Sequence, residues 1–296
     1  IQNYEIDGAG GSAIAIYDTD LHVKILSCYL SDSSGPSATI HLQNVKNVTV
    51  ENNTLVDCYA GVGLFNSHSN VVRNNTFVNH NTGIFLEDSD HNLIFNNTCV
   101  LDIESPSGRV GIQLRYSENN SLEENNCSGN NAGIDLFFSH FNTLTANIGD
   151  DIEGSGMVID SSMNNTIMEN ICRNNYIAGI VLQSSSSVTT GNVIDNNNCS
   201  GNALITEWGA GIFLSASPSY DMSNNTISNN ELSGNYYGIW VMNAPNNTIS
   251  SNTVNDDVGS GIYISASSWN RIESNTITGN GDSGIWLDAS DCCTVE

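Results

Sequence analysis

Basic residues are almost absent from this chain: 7 Lys and Arg stand against 32 Asp and Glu in 296 residues, a formal charge of −25. With no basic stripe to neutralise phosphates, nucleic acid and anionic membrane surfaces are excluded as partners. No apolar run approaches the ~18–20 residues that span a bilayer, so no membrane insertion is expected of this segment. Proline is scarce at 4 residues, and aromatic residues make up only 7%. The acidity does not imply disorder, because 39% hydrophobic residues can supply a core. What abounds is asparagine, 45 residues beside 38 serines, and such a bias points to a periodic need for it.

A length of 296 residues alone would suggest two domains, but an internal repeat overrides that prior. The motif Gly-Ile-x-Leu, with small variations, begins at Gly61, Gly83, Gly111, Gly133, Gly156, Gly179, Gly211, Gly238, Gly261 and Gly284, with degenerate copies at Ala13 and Thr39. Behind each anchor follows roughly Asn-x-Ile-x-x-Asn-x-x-Ile, as in Asn225-Thr-Ile227 to Leu232. Aligned copies give one apolar column through Val23, Val50, Val72, Ile94, Leu122, Leu144, Ile167, Thr189, Ile227, Ile249 and Ile272. Five residues on, a second runs through Cys28, Leu55, Phe77, Cys99, Cys127, Gly149, Cys172, Ile194, Leu232, Val254 and Ile277.

Apolar positions that alternate briefly and then break have strand periodicity, not helix periodicity. A unit of this size cannot bury its face alone, so units must stack into one continuous core. Parallel stacking at ~4.8 Å lays identical side chains in ladders, and asparagine suits the bends because it tolerates left-handed backbone angles. The spacing therefore predicts an all-β parallel β-helix, a solenoid of about eleven rungs mostly 22–28 residues long. Each rung would hold three short strands, with residues 13–296 forming the coil and 1–12 a lead-in. The last residues fall in mid-rung, which reads as a piece of a longer chain.

These repeats resemble those of single-stranded right-handed parallel β-helix proteins of the pectate-lyase-like superfamily. The likeness is to the NosD-like and carbohydrate-binding or sugar-hydrolase type repeats, and it covers about 13–296. For fold the resemblance is specific. For function it is not, because the same coil serves lyases, hydrolases, epimerases, adhesins and surface-layer components. Polygalacturonase-like enzymes carry Gly-His-Gly and Arg-x-Lys elements and alginate-epimerase-like ones Asp-Pro-His; none of these strings occurs here. No catalytic residue is thus carried over.

Acidic pairs stand at Asp150-Asp151 with Glu153, at Asp256-Asp257, and at Glu87-Asp88 with Asp90. Two carboxylates at a suitable separation could run glycoside hydrolysis; the plainer reading is acidic turns on an acidic surface. The turn Glu87, Asp88, Asp90 and His91 lies one rung from His68 and from Glu118, and offers ligands for a divalent cation. Calcium would fit if carboxylates dominate, and a softer metal if the histidines converge. NosD-like proteins are linked with copper, but no Cys/His spacing here resembles a dedicated site.

Cys28, Cys99, Cys127 and Cys172 read as small hydrophobes in the apolar column, a buried ladder of free thiols. Cys292 and Cys293 sit at a turn, where a crosslink to another chain is conceivable. Ten N-x-S/T sequons occur, at Asn47, Asn52, Asn74, Asn96, Asn119, Asn126, Asn164, Asn198, Asn224 and Asn246. They would suit a glycosylated exterior protein, although 45 asparagines among 57 Ser and Thr give about nine by chance.

In Gly-Ile-x-Leu the Ile and Leu point inward, so x points out. Read along the chain, x ends in Phe213, Trp240, Tyr263 and Trp286, four aromatics on successive rungs. An exposed stripe of this kind marks a contact surface. Three readings are open: a platform for sugar rings, a face for a neighbouring subunit or surface protein, or a surface covered by the insertions near Ala203–Trp208 and Ala216–Ser223. The sequence favours an extracellular or cell-surface scaffold that self-associates or docks a partner through the stripe and the coil ends. A carbohydrate-binding or polysaccharide-cleaving module is the alternative.

Overall fold

The computed structural model describes residues 1–100, 109–203 and 209–296, with 32–37 as strand backbone only. No helix forms among these residues; every element is a strand and the strands pair in parallel. The Gly-Ile-x-Leu segments build the broad sheet, twelve strands along its main path, from Glu5–Asp7 to Ile285–Asp288. The first Asn-x-Ile segments build a second 12-stranded sheet from Val23–Leu26 to Thr294–Val295. A third ladder joins Glu231–Ser233, Thr253–Asn255 and Thr276–Thr278, and single bridges through Asn126, Ile148, Ile171 and Asn198 carry it toward the N-terminus. There it merges with the broad sheet in the long strands Thr54–Phe65 and Thr76–Glu87. Glu5–Asp7 already pairs with Tyr29–Ser31, so the coil's pairing begins inside the 1–12 lead-in.

Registers correct the two apolar columns at two rungs each. Ile25, not Val23, stands opposite Val50, and Ile194, not Thr189, lies between Ile167 and Ile227. The third-ladder column holds Leu30 rather than Cys28 and Cys199 rather than Ile194. For Ile194 and Cys199 the cause is local: residues inserted after Leu182 delay the next strand to Val193–Asp195, so a fixed count from the anchor falls short.

Asparagine does two jobs at adjacent positions. One residue takes the left-handed bend, as at Asn52 (φ 55°), Asn74 (φ 56°) and Asn96 (φ 50°). The next turns into the coil and joins a buried column that runs from Asn53 through Asn147 to Asn275. Asn147 is representative: its Oδ1 accepts the Asn125 amide at 3.0 Å and Asn125 Nδ2 at 2.9 Å, while its Nδ2 donates to Leu122 O at 2.8 Å. A second column from Asn70 to Asn270 repeats the pattern. Buried amides cost several kcal/mol only when unpaired; here each is paired to the next rung, so the columns fix rung against rung. The anchor glycines are required by close approach: a Cβ at Gly83 would lie 2.6 Å from Gly111 O and 2.7 Å from Cys99 Sγ.

Candidate functional site

The outward side of the broad sheet carries two columns of side chains, the x position and the one two residues further on. In-register pairing brings Phe213, Trp240, Tyr263 and Trp286 into line as the sequence predicts. Their rings stack on one another, with centroids 4.6, 5.7 and 4.5 Å apart and planes within 23°. Tyr237 joins them, 5.5 Å from Trp240 and 5.2 Å from Tyr263. The stripe is less open than its sequence implies. Trp240 is 5% exposed and Phe213 and Tyr263 are half-buried; Trp286 alone of the four is exposed, at 43%. Rings at rung spacing use their faces on each other and present mainly edges to solvent. Of the two insertions thought able to cover them, 204–208 lies outside the described residues. Residues 218–221, within the other, are exposed and its chain turns back on itself through Tyr220 N to Ser217 O at 3.0 Å.

A second aromatic run at the other end of the same face escaped the sequence reading. Tyr17 and His41 lie 5.4 Å apart, His41 and Phe65 stack at 4.7 Å, and Phe65 and Phe85 meet edge-on at 5.7 Å. The run alternates between the two outward columns, so reading x alone could not reveal it; reading both would have. Beside it opens a recess of about 190 Å³, walled by Tyr59, Phe65, Phe85, Gln113 and Arg115 over a floor of Ala38, Ala60 and Thr82. The Arg115 guanidinium sits 5.8 Å above the Phe85 ring, a cation–π contact.

Between the two runs the face turns polar. Gln113 Nε2 donates to Asp135 Oδ2 at 2.8 Å. Burial pushes the Asp135 carboxyl up and Asp160 adds to this, against the Gln113 hydrogen bond and the charge of Arg115. Asp160, one rung on, is held by Ser161 Oγ (2.9 Å), the Ser185 amide (3.0 Å), Gln183 Nε2 (3.2 Å) and Ser185 Oγ. Its oxygens are therefore committed to the protein, while Asp135 has one partner and a proton held more tightly than usual. Chemically, this centre can exchange hydrogen bonds with hydroxyl groups.

The other predicted residues fall elsewhere. Glu87 points out from its strand, Asp88 and His91 occupy left-handed bends and are exposed, and at Asp90 the backbone amide donates to His68 Nδ1 at 3.0 Å while Oδ1 accepts the Glu118 amide at 2.7 Å. They do not converge, and among the described residues no three His, Cys, Asp or Glu side chains gather as a metal site requires. Asp150 pairs with Arg173 at 2.7 Å. Asp257 is no surface turn residue: it is 2% exposed and stands where the third inward column has asparagine, accepting the Asn235 amide at 2.7 Å and Asn235 Nδ2 at 3.1 Å. All eight cysteines are free, and Cys28, Cys58, Cys99, Cys127, Cys172 and Cys199 are buried. Cys28 heads the Asn53 column instead of filling the apolar one, its amide donating to Asn53 Oδ1 at 2.9 Å. Cys292 is exposed on a left-handed bend, and Cys293 contacts Ser267 O at 3.4 Å. Eight of the ten sequon asparagines, all but Asn126 and Asn198, are bend residues followed by an inward position and an outward Ser or Thr. Coil geometry thus writes most of the sequons.

A family model described as "Right handed beta helix region" matches residues 79–226 and 191–296, and one described as "Periplasmic copper-binding protein (NosD)" matches 2–105. Within that stretch Cys58 and His80 face each other on adjacent rungs, and among the described residues no third donor joins them. Burial pushes the thiol up to about 11 and the imidazole down to about 4, with Arg109 opposing charge on the latter. No curated protein matches the sequence. Among solved structures, the periplasmic alginate epimerase AlgG aligns at 16% identity over 95% of this chain and 77% of its own, TM-score 0.70. The Azotobacter vinelandii mannuronan C-5 epimerase AlgE4 A-module aligns at 13% over 100% and 91%, TM-score 0.65. The catalytic domain of a GH87 α-1,3-glucanase in complex with nigerose aligns at 17% over 99% and 55%, TM-score 0.58. At such identities these likenesses speak to fold.

Proposed function

The chain belongs to the right handed beta helix region family, and from that premise we propose that the outward face of its broad sheet binds a polysaccharide laid along the coil, in an exported protein. The observation that carries this is the order of side chains along one face: an aromatic run, a hydrogen-bonding centre at Gln113, Asp135 and Asp160, and a second aromatic run. A sugar chain presents alternating apolar faces and hydroxyl edges, and rungs ~4.8 Å apart repeat at a length comparable with one pyranose unit. Solved structures of the same fold include two alginate epimerases and a glucanase with a bound disaccharide, which supports a carbohydrate role. An extracellular or periplasmic location agrees with the periplasmic description of NosD and AlgG.

A self-associating scaffold, the reading the sequence favoured, fits this face less well. Protein interfaces are depleted of charge at their core, whereas this face has Arg115, Asp135 and Asp160 near its middle. Affinity electrophoresis through gels holding soluble polysaccharides, beside sedimentation of the same samples, tests the choice. Trp286→Ala and Phe85→Ala are each expected to weaken retention about three- to tenfold, the worth of one ring contact of ~0.5–1.5 kcal/mol, with the association state unchanged. Unaltered retention together with a shift in association state would return the face to the scaffold reading.

A further inference from the structure

The charges on this face go beyond saying that it holds a sugar chain. The two outward columns of the broad sheet carry four carboxylates, Glu87, Asp135, Asp160 and Asp288, and one guanidinium, Arg115. Arg115 stands opposite Glu87 in the register and its charge also acts on Asp135, so locally it is already offset. The whole chain carries −25, a field of one sign that repels a polyanion before contact. The recess is the opposite case. Its walls are largely aromatic and its only charged group is Arg115, so no carboxylate lines it. Arg115 and Gln113 there offer donors suited to hydroxyl oxygens, beside rings suited to the apolar face of a pyranose.

We infer that this face selects an uncharged polysaccharide over a polyuronate. The inference rests on the polysaccharide reading above and narrows it to a substrate class. It parts company with the alginate epimerases that share the fold, since alginate is a polyuronate. Selection works by exclusion as much as by attraction: the carboxylates Glu87, Asp135, Asp160 and Asp288 refuse a regularly anionic chain.

The decisive probes are chains matched in backbone and different in charge. Fully methyl-esterified polygalacturonate is compared with its de-esterified form. A soluble β-1,3-glucan, a galactomannan and a xyloglucan are run beside them, each at 0.05 and 0.5 M NaCl. The expected result is retention by at least one uncharged chain, changing less than twofold between the two salt concentrations. De-esterified polygalacturonate should bind at least tenfold more weakly than a retained uncharged chain at 0.05 M. Retention of de-esterified polygalacturonate in preference to every uncharged chain overturns the inference and leaves the polysaccharide reading standing. Retention of no chain at either salt concentration removes both.

Discussion

Replacing Asp257 by Asn should stabilise the coil and change how its stability depends on pH. Asp257 takes the place of an asparagine between Asn235 and Asn280 in the third inward column. Asn202, in the same column, donates Nδ2 to Cys172 O at 3.0 Å; Asp257 has nothing to donate when ionised, and its Oδ2 is buried without a partner. Burial raises its pKa from 3.8 to about 7, with the charge of Asp256 adding to this and the two bonds from Asn235 opposing it. A folded-state value above the unfolded one means that the folded chain binds this proton more tightly. Its contribution is therefore fully present below about pH 4 and lost as pH rises through about 7. At 1.36 kcal/mol per unit the loss between those limits is about 4 kcal/mol. With ~2.1 cal/mol/K of unfolding entropy per residue, a coil melting as one unit would shift by about 6 °C. Melting curves at pH 4.5, 6 and 8 for both proteins isolate the effect, because carboxylates remote from Asp257 cancel in the difference and leave Asp257 with its coupling to Asp256. The variant should gain little at pH 4.5 and about 6 °C at pH 8. A wild-type minus variant difference that stays flat from pH 4.5 to 8 would refute the reasoning, since it would mean that Asp257 keeps its ordinary affinity for the proton.

The asparagine columns make a second prediction: Asn147→Ala removes the acceptor of both Asn125 bonds and should cost about 2–4 kcal/mol, whereas Asn246→Gly, at a bend with φ 55°, should lie within about 0.5 kcal/mol of wild type, both read by denaturant melts. Gly83→Ala places a Cβ 2.6 Å from Gly111 O and should lower the melting temperature more than Asn147→Ala does, because backbone, not a flexible side chain, must yield. Thiol titration with an aromatic disulfide reagent should find about two fast-reacting groups in the folded protein, Cys292 and Cys293, and the six buried ones only after unfolding; more than two fast groups would contradict the closed core.

The coil itself was legible from sequence because its rule is local. Strand alternation decides which side chains point in, and parallel stacking copies that choice from rung to rung, so aligned repeats reveal columns. That is why Phe213, Trp240, Tyr263 and Trp286 could be placed on one line from spacing alone. Whether such a line is open was beyond the sequence: Trp240 is buried by rings contributed from neighbouring rungs. The same limit hid the Tyr17–Phe85 run, which crosses between columns, and the Arg115 recess, whose floor is small only because Ala38, Ala60 and Thr82 fall side by side. Register failed where a turn lengthened, at Ile194 and Cys199, since a count along the chain does not know where the next strand closes. Asp257 shows the division most plainly. Its sequence neighbour Asp256 made it look like a solvated acidic turn, and only the stacking of Asn235 and Asn280 against it, 22 and 23 residues away, turns it into a buried carboxyl in a column of amides. Local geometry fixed the direction of each side chain; the company it keeps there was decided by the rungs above and below.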